Sequence, residues 1–222
     1  MKMRNTLYCF LLLLFVSIRT TAQDLPFAND IREFKKMDSI SAPPQNAILF
    51  IGSSSFTLWK DVADYFPGHT IVNRGFGGSQ LTDVIRYSND IIVPYRPAQV
   101  VIYCGENDIS SSDAIAATTV VKRFEQLYSI IRNRFPGAGI VYVSMKPSPS
   151  RKKFMPKMVE ANARIRHFLQ GKRNTAFIDV YSKMLDRNGE PLKDIYLDDS
   201  LHMNAKGYAI WQKEIKPYLL KQ

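Results

Sequence analysis

The chain is expected to be an α/β protein, a three-layer α/β/α sandwich around a five-stranded parallel sheet, and three observations carry that expectation. Short apolar runs rich in branched residues recur at 47–51, 70–72, 99–103, 140–144 and 175–180. Runs this short and continuously apolar suit strands buried on both faces. Segments with apolar residues at helical spacing lie between them, and the alternation implies parallel strands joined by helical crossovers. Chemistry in such a sheet sits beyond the carboxyl ends of the strands.

The elements follow in order. Residues 1–22 have the form of a secretory leader: Lys2 and Arg4 precede an apolar run from 7 to 18, and the small residues Thr20, Thr21 and Ala22 follow it. The run is too short, and too soon followed by polar sequence, to span a bilayer core of about 30 Å permanently. Cleavage near Ala22 and delivery to the periplasm or the medium are expected, with no stable membrane anchor left behind. Removing 22 of the 222 residues leaves 200, at 23–222, enough for one domain with a sizeable core. Ile31, Phe34 and Met37 mark a short first helix, ended by Pro43 and Pro44. A helix through Leu58, Val62 and Phe66 is expected after the first strand, and Leu81, Val84, Ile85 and Ser88 mark the next. The clearest helical face is Val120, Phe124, Leu127, Ile131 and Phe135; Met158, Ala161, Ile165 and Phe168 form another, and Tyr208, Trp211, Ile215 and Leu219 close the chain.

The leader takes three cations (Lys2, Arg4 and Arg19) and no anion, so the formal charge of +10 becomes +7. A basic balance suits nucleic acid, anionic glycans or lipids. No zinc-finger spacing, basic heptad helix or RNP-like aromatic motif occurs, so nucleic acid is not an expected partner and a solvated surface is the default. Cys9 leaves with the leader, and the remaining Cys104 cannot form an internal disulfide, so core packing alone must hold the fold. The three histidines are scattered and no H-E-x-x-H occurs, so no metal is expected.

Each strand-end loop delivers a reactive or polar residue. Gly52-Ser53-Ser54-Ser55 follows the first strand. A hydroxyl between a strand end and a helix amino terminus is held rigidly, with backbone N–H groups near enough to stabilise an oxyanion; an N-cap is the plain alternative for such a cluster. Asn73-Arg74-Gly75-Phe76-Gly77-Gly78-Ser79 follows the second strand. Its glycines let the backbone pass close to a bound group, or simply make a turn, and neither phosphate-binding glycine pattern is present. Gly105-Glu106-Asn107-Asp108 offers a side-chain amide to an oxyanion, or an Asx turn. The last loop places Asp199 three residues before His202. Histidine is the side chain best suited to take a proton from serine near neutral pH, and a buried carboxylate fixes its tautomer. His69 follows Pro67-Gly68 in a turn and His167 lies within a helix, so His202 is the histidine with a partner.

These four blocks, in this order, resemble those of the SGNH (GDSL-like) hydrolase family, and the match spans most of the mature chain. In overall pattern the chain is similar to the platelet-activating-factor acetylhydrolase-like and carbohydrate acetylesterase branches. The resemblance implies a flavodoxin-like sheet and ester hydrolysis without a cofactor. It assigns the nucleophile to Ser54, the charge-orienting and proton-transferring partners to Asp199 and His202, and the oxyanion hole to the N–H groups of Ser54 and Gly78 and the amide of Asn107. Ser53 stands where the family has aspartate, which leaves Ser53 and Ser55 as alternative nucleophiles. The α/β-hydrolase elbow G-x-S-x-G is absent, since Phe56 occupies its second glycine.

The expected activity is that of a serine esterase on a short acyl ester, acetyl first, of a small-molecule or glycan substrate. A lysophospholipase or thioesterase is the alternative within the family, and no long apolar loop stretch advertises the lipid tunnel it would use. A non-catalytic glycan-binding protein is the alternative of another class; the joint presence of the serine, glycine, asparagine, aspartate and histidine speaks against it. Residues 145–155, with Lys146, Arg151, Lys152, Lys153 and Phe154, would edge the site if the fourth strand ends there, either selecting anionic substrates or forming a solvated loop.

Overall fold

Strands β1 (Ile48–Gly52), β2 (Ile71–Gly75), β3 (Gln99–Tyr103), β4 (Gly139–Val143) and β5 (Thr175–Ile178) form one parallel sheet in the order β2-β1-β3-β4-β5. The computed structural model describes residues 25–221, and the leader expected at 1–22 lies outside the described residues. The helices are α1 (Ala28–Ile40), α2 (Ser54–Thr57), α3 (Val62–Tyr65), α4 (Leu81–Arg86), α5 (Ser88–Ile91), α6 (Glu106–Ser110), α7 (Ala117–Arg134), α8 (Met155–Leu169) and α9 (Ala205–Ile215).

Every residue of β1 and β3 is buried, because helices cover both sheet faces and side chains of period two divide between them. Leu49, Ile51, Val100, Ile102, Ile140 and Tyr142 enter one core with Phe124, Leu127 and Ile131 of α7 and Ile165 of α8. Ile48, Phe50, Val101, Tyr103, Val141 and Val143 enter the other with Phe56 of α2, Val62 of α3 and Trp211 of α9. The architecture is the three-layer α/β/α sandwich expected. On α7 the buried residues include Val120, Phe124, Leu127 and Ile131. Each such side chain contributes about 1.5–3 kcal/mol by leaving water, against a few tenths lost to the weaker helix propensity of a branched residue, so packing decides that this segment is helical.

Two expected helices are broken. The helix through Leu58, Val62 and Phe66 is instead the two single turns α2 and α3. The Asn73 side-chain amide donates to Phe56 O (2.7 Å) and Trp59 O (3.3 Å), carbonyls that a continuous helix would have used for itself. The face Leu81 to Ser88 is interrupted at Tyr87, whose hydroxyl donates to Pro26 O at 2.7 Å. Strand β5 stops at Ile178, short of the expected end at 180, because Ser144 Oγ takes the N–H groups of Val180 and Tyr181, both at 3.0 Å.

The registers Gly52↔Gly75 and Gly52↔Tyr103 bring three strands to a common edge, so their loops leave side by side. At that edge Gly52 has φ +137°, and a Cβ there would lie 1.8 Å from Tyr103 O. Only glycine turns the chain this close to the neighbouring strand. The substitution Gly52→Ala is therefore expected to lower the unfolding free energy by about 3 kcal/mol or more. A urea midpoint equal to that of the wild type would contradict this packing.

Candidate active site

The turn after Gly52 sorts three consecutive serines. Ser53 N–H donates to Tyr103 O at 3.0 Å and the residue is buried, while Ser55 is buried with its carbonyl accepting from Tyr208 Oη–H at 3.0 Å. Ser54, the first residue of α2, is half-buried, and its Oγ lies 3.0 Å from His202 Nε2. Of the three hydroxyls, that of Ser54 meets the imidazole.

The imidazole is aimed by the loop before α9. His202 Nδ1 lies 2.5 Å from Asp199 Oδ2, so the neutral ring donates from Nδ1 and offers Nε2 to the serine. The other carboxylate oxygen accepts the N–H groups of Leu201 and His202, each at 2.9 Å. Ser200 adopts φ +56°, the left-handed conformation that folds this turn back on itself. The loop is closed by Leu197 N–H to His202 O at 2.7 Å, and Asn204 caps α9 by accepting from Lys206 and Gly207 N–H.

The sequence suggested a buried carboxylate, whereas Asp199 is exposed, with 46% of its side-chain surface accessible. Hydrogen bonds rather than burial fix it. Desolvation pushes its carboxyl up, but the N–H groups of His202 and Leu201 and the imidazole outweigh that and hold it at about 2, below the ordinary 3.8.

Ser54, His202, Gly77, Gly78, Asn107 and Arg151 line one open cavity of about 380 Å³, with Thr57, Leu58 and Leu201 as its remaining walls. Gly78 has φ +81°. Asn107 Nδ2 donates to Ser79 O at 3.1 Å, which uses one of the two amide hydrogens and leaves the other for a ligand. The three loops are tied together beneath the cavity. Ser79 Oγ–H donates to Gly52 O at 3.1 Å, and Asp108 Oδ2 accepts from Leu81 N–H at 2.9 Å while its Oδ1 accepts from Arg123 at 2.6 Å. Burial pushes the Asp108 carboxyl up, and the Leu81 N–H and Arg123 pull against it. Sequence reasoning missed Ser79, Asp108 and Arg123 as supports, and Glu106, which is buried against Lys146 (3.0 Å) and the Tyr103 hydroxyl.

The other titratable candidates lie elsewhere. His69 Nδ1 is 3.0 Å from Leu220 O and His167 Nδ1 is 3.2 Å from Gln170 Oε1. Cys104 is buried, and desolvation pushes its thiol well up. A larger groove of about 520 Å³ between α7 and α8, walled by Val121, His167 and Phe168, brings no serine to its histidine. Among the described residues no group of three or more His, Cys, Asp or Glu side chains is placed to hold a metal ion.

The arrangement can activate a serine, orient a histidine and offer N–H donors to an oxyanion in one cavity. In comparisons, solved structures share the fold. A Streptococcus pneumonia protein provisionally named a platelet activating factor superposes with a TM-score of 0.75 at 23% identity, over 86% of this chain and 92% of that one. A GDSL-like lipase from Bacteroides thetaiotaomicron gives 0.72 at 20% identity, over 84% and 95%. A point mutant of an acetyl-xylooligosaccharide esterase from Geobacillus Stearmophilus gives 0.62 at 13% identity, over 79% and 95%. Curated proteins give no match. The model of the GDSL-like lipase/acylhydrolase family matches residues 38–210, and with the strand-end loops all inside that span, the chain belongs to this family of ester-hydrolysing enzymes.

Proposed function

We propose that the chain is an exported serine esterase that removes a short acyl group, acetyl first, from a carbohydrate ester. The observation that carries this reading is the unbroken line from Asp199 Oδ2 to His202 Nδ1 (2.5 Å) and from His202 Nε2 to Ser54 Oγ (3.0 Å). Ser54 Oγ attacks the ester carbonyl while His202 Nε2 takes its proton, and the imidazolium is stabilised by Asp199. The oxyanion is held by the N–H groups of Ser54 and Gly78 and the amide of Asn107, each worth about 3 kcal/mol in the transition state. Collapse expels the alcohol with the proton from His202. Water then attacks the acyl-enzyme by the same path in reverse, giving the carboxylic acid and free Ser54.

The short acyl group is supported by the walls of the cavity. Thr57, Leu58 and Leu201 supply apolar surface for a few carbons, in an open cavity of about 380 Å³. A lysophospholipase or thioesterase would need an apolar run deeper than these three side chains offer. A glycan-binding protein without catalysis has no task for an oriented imidazole. Export rests on the leader-like residues 1–22.

Ser54→Ala should lower kcat by several powers of ten with the fold kept, whereas Ser53→Ala and Ser55→Ala should cost far less. Fluorophosphonate labelling mapped by peptide mass spectrometry checks the assignment, and label persisting in Ser54→Ala but lost in a neighbour's mutant would move the nucleophile. Acetate esters should turn over faster than esters of twelve or more carbons at matched concentrations below KM; the reverse order would replace the acetylesterase by the lysophospholipase reading. Asp199→Asn should lower kcat by about 10²–10⁴. Because the Asp199 carboxyl is held below its ordinary value, it stabilises the folded chain above about pH 3.8, and that contribution is lost as pH falls toward about 2. The difference in unfolding midpoint between wild type and Asp199→Asn should therefore shrink across that range, and a difference that widened would contradict the hydrogen bonding described.

A further inference from the structure

The basic loop after β4 resolves into cations with different fates. Lys146 is buried and paired with Glu106 at 3.0 Å. Lys152 pairs with Glu190 at 2.7 Å and Lys153 with Asp113 at 2.5 Å, both on the exposed surface. Arg151 alone among them lines the cavity that holds Ser54 and His202. Its Nε is buried and makes no hydrogen bond among the described residues. The Glu106 Oε1 atom lies 4.0 Å from it, beyond hydrogen-bond reach, and that carboxylate is already engaged by Lys146 and the Tyr103 hydroxyl. One carboxylate thus faces two cations, and one positive charge is left over in a cavity wall.

The leftover charge is held in place. Ser150 N–H donates to Ser200 O at 3.2 Å, in the loop that carries Asp199 and His202, and Tyr196 Oη–H donates to Pro147 O at 2.5 Å. The segment bearing Arg151 is therefore fixed to the segment bearing the imidazole. The Arg151 side chain keeps 26% of its surface accessible, and a ligand carboxylate meeting the exposed part of the guanidinium would gain charge-assisted hydrogen bonds.

We infer that Arg151 is a specificity-determining residue that takes a carboxylate on the sugar carrying the ester, so the preferred substrates are short acyl esters of acidic sugars. This rests on the serine-esterase reading above. A planar guanidinium donates to a carboxylate or a phosphate in the same bidentate way, but the cavity favours the former. A phosphate monoester brings about −1.5 to −2 charges, more than one guanidinium that shares Glu106 with Lys146 neutralises, and a phospholipid diester brings chains that Thr57, Leu58 and Leu201 cannot cover.

The test compares kcat/KM for the O-acetyl esters of a methyl glucuronide, a methyl glucoside and glucose 6-phosphate, in wild type, Arg151→Met and Arg151→Lys. Taking the ratio between substrates within one variant cancels any loss of folded enzyme. Wild type should favour the glucuronide over the glucoside by about tenfold or more, mainly through KM. The ratio should fall to about one in Arg151→Met, recover in part in Arg151→Lys, and shrink with added salt. An equal ratio in wild type and Arg151→Met, or no preference in wild type, would overturn the inference while glucoside hydrolysis and Ser54 labelling leave the esterase reading standing. Preference for the phosphorylated sugar would overturn the carboxylate assignment. Failure to hydrolyse any of the three esters together with no fluorophosphonate labelling of Ser54 would overturn both.

Discussion

The site depends on how closely three strand ends approach one another at Gly52. Its lack of a Cβ lets the Tyr103 carbonyl come near enough to accept Ser53 N–H at 3.0 Å, and its own carbonyl takes Phe76 N–H at 2.9 Å and Ser79 Oγ–H at 3.1 Å. One residue therefore ties the turn that carries Ser54 to both neighbouring loops. Two hydrogen bonds from the Asn73 amide then end α2 after a single turn. Ser54 is left at a helix start with its hydroxyl outside the core, while its neighbours are buried. Precision of this kind is what an oxyanion hole requires, since its donors act only if they are in place before charge develops.

Buried charge supports the same edge. Asp108 is fully buried between Leu81 N–H and Arg123, and Glu106 and Lys146 form an ion pair with almost no exposure. Such pairs add little net stability, because desolvation consumes most of the attraction, yet removing one partner leaves a buried charge at a cost of about 3–5 kcal/mol. They fix register rather than add strength. Asp108 locks the loop carrying Asn107 to the start of α4, just past Gly78, and the Glu106 pair locks it to the loop after β4. Because Glu106 is already satisfied by Lys146 and Tyr103, the neighbouring guanidinium of Arg151 is left for the cavity.

The sheet and the residues that meet in the candidate site were legible in the sequence because their signals are local. Five apolar runs became five strands, with ends displaced by three residues at most, and α7 follows the spacing of Val120, Phe124, Leu127 and Ile131. The four blocks lie at strand ends, and the pattern D-x-x-H places its carboxylate and imidazole three residues apart. What stayed hidden depends on contacts between distant residues. Ser79 reaches Gly52 across 27 positions, as does Asp108 to Leu81, and no periodicity marks either. Asn73 cuts the helix after Ser54 from 17 positions away, which is why a continuous helix through Leu58 was expected. The exposure of Asp199 was likewise invisible, since two backbone N–H groups do the holding that burial was expected to do.

On the proposed reading, Ser54, Gly78, Asn107 and His202 surround one reacting centre. A crystal structure of the enzyme after reaction with a small fluorophosphonate tests it most directly. Phosphorus should be bonded to Ser54 Oγ and the phosphoryl oxygen should lie about 2.7–3.1 Å from the Ser54 and Gly78 nitrogens and Asn107 Nδ2, with His202 Nε2 on the opposite side. Phosphorus on Ser53 or Ser55, or a phosphoryl oxygen turned away from Gly78 and Asn107, would contradict it.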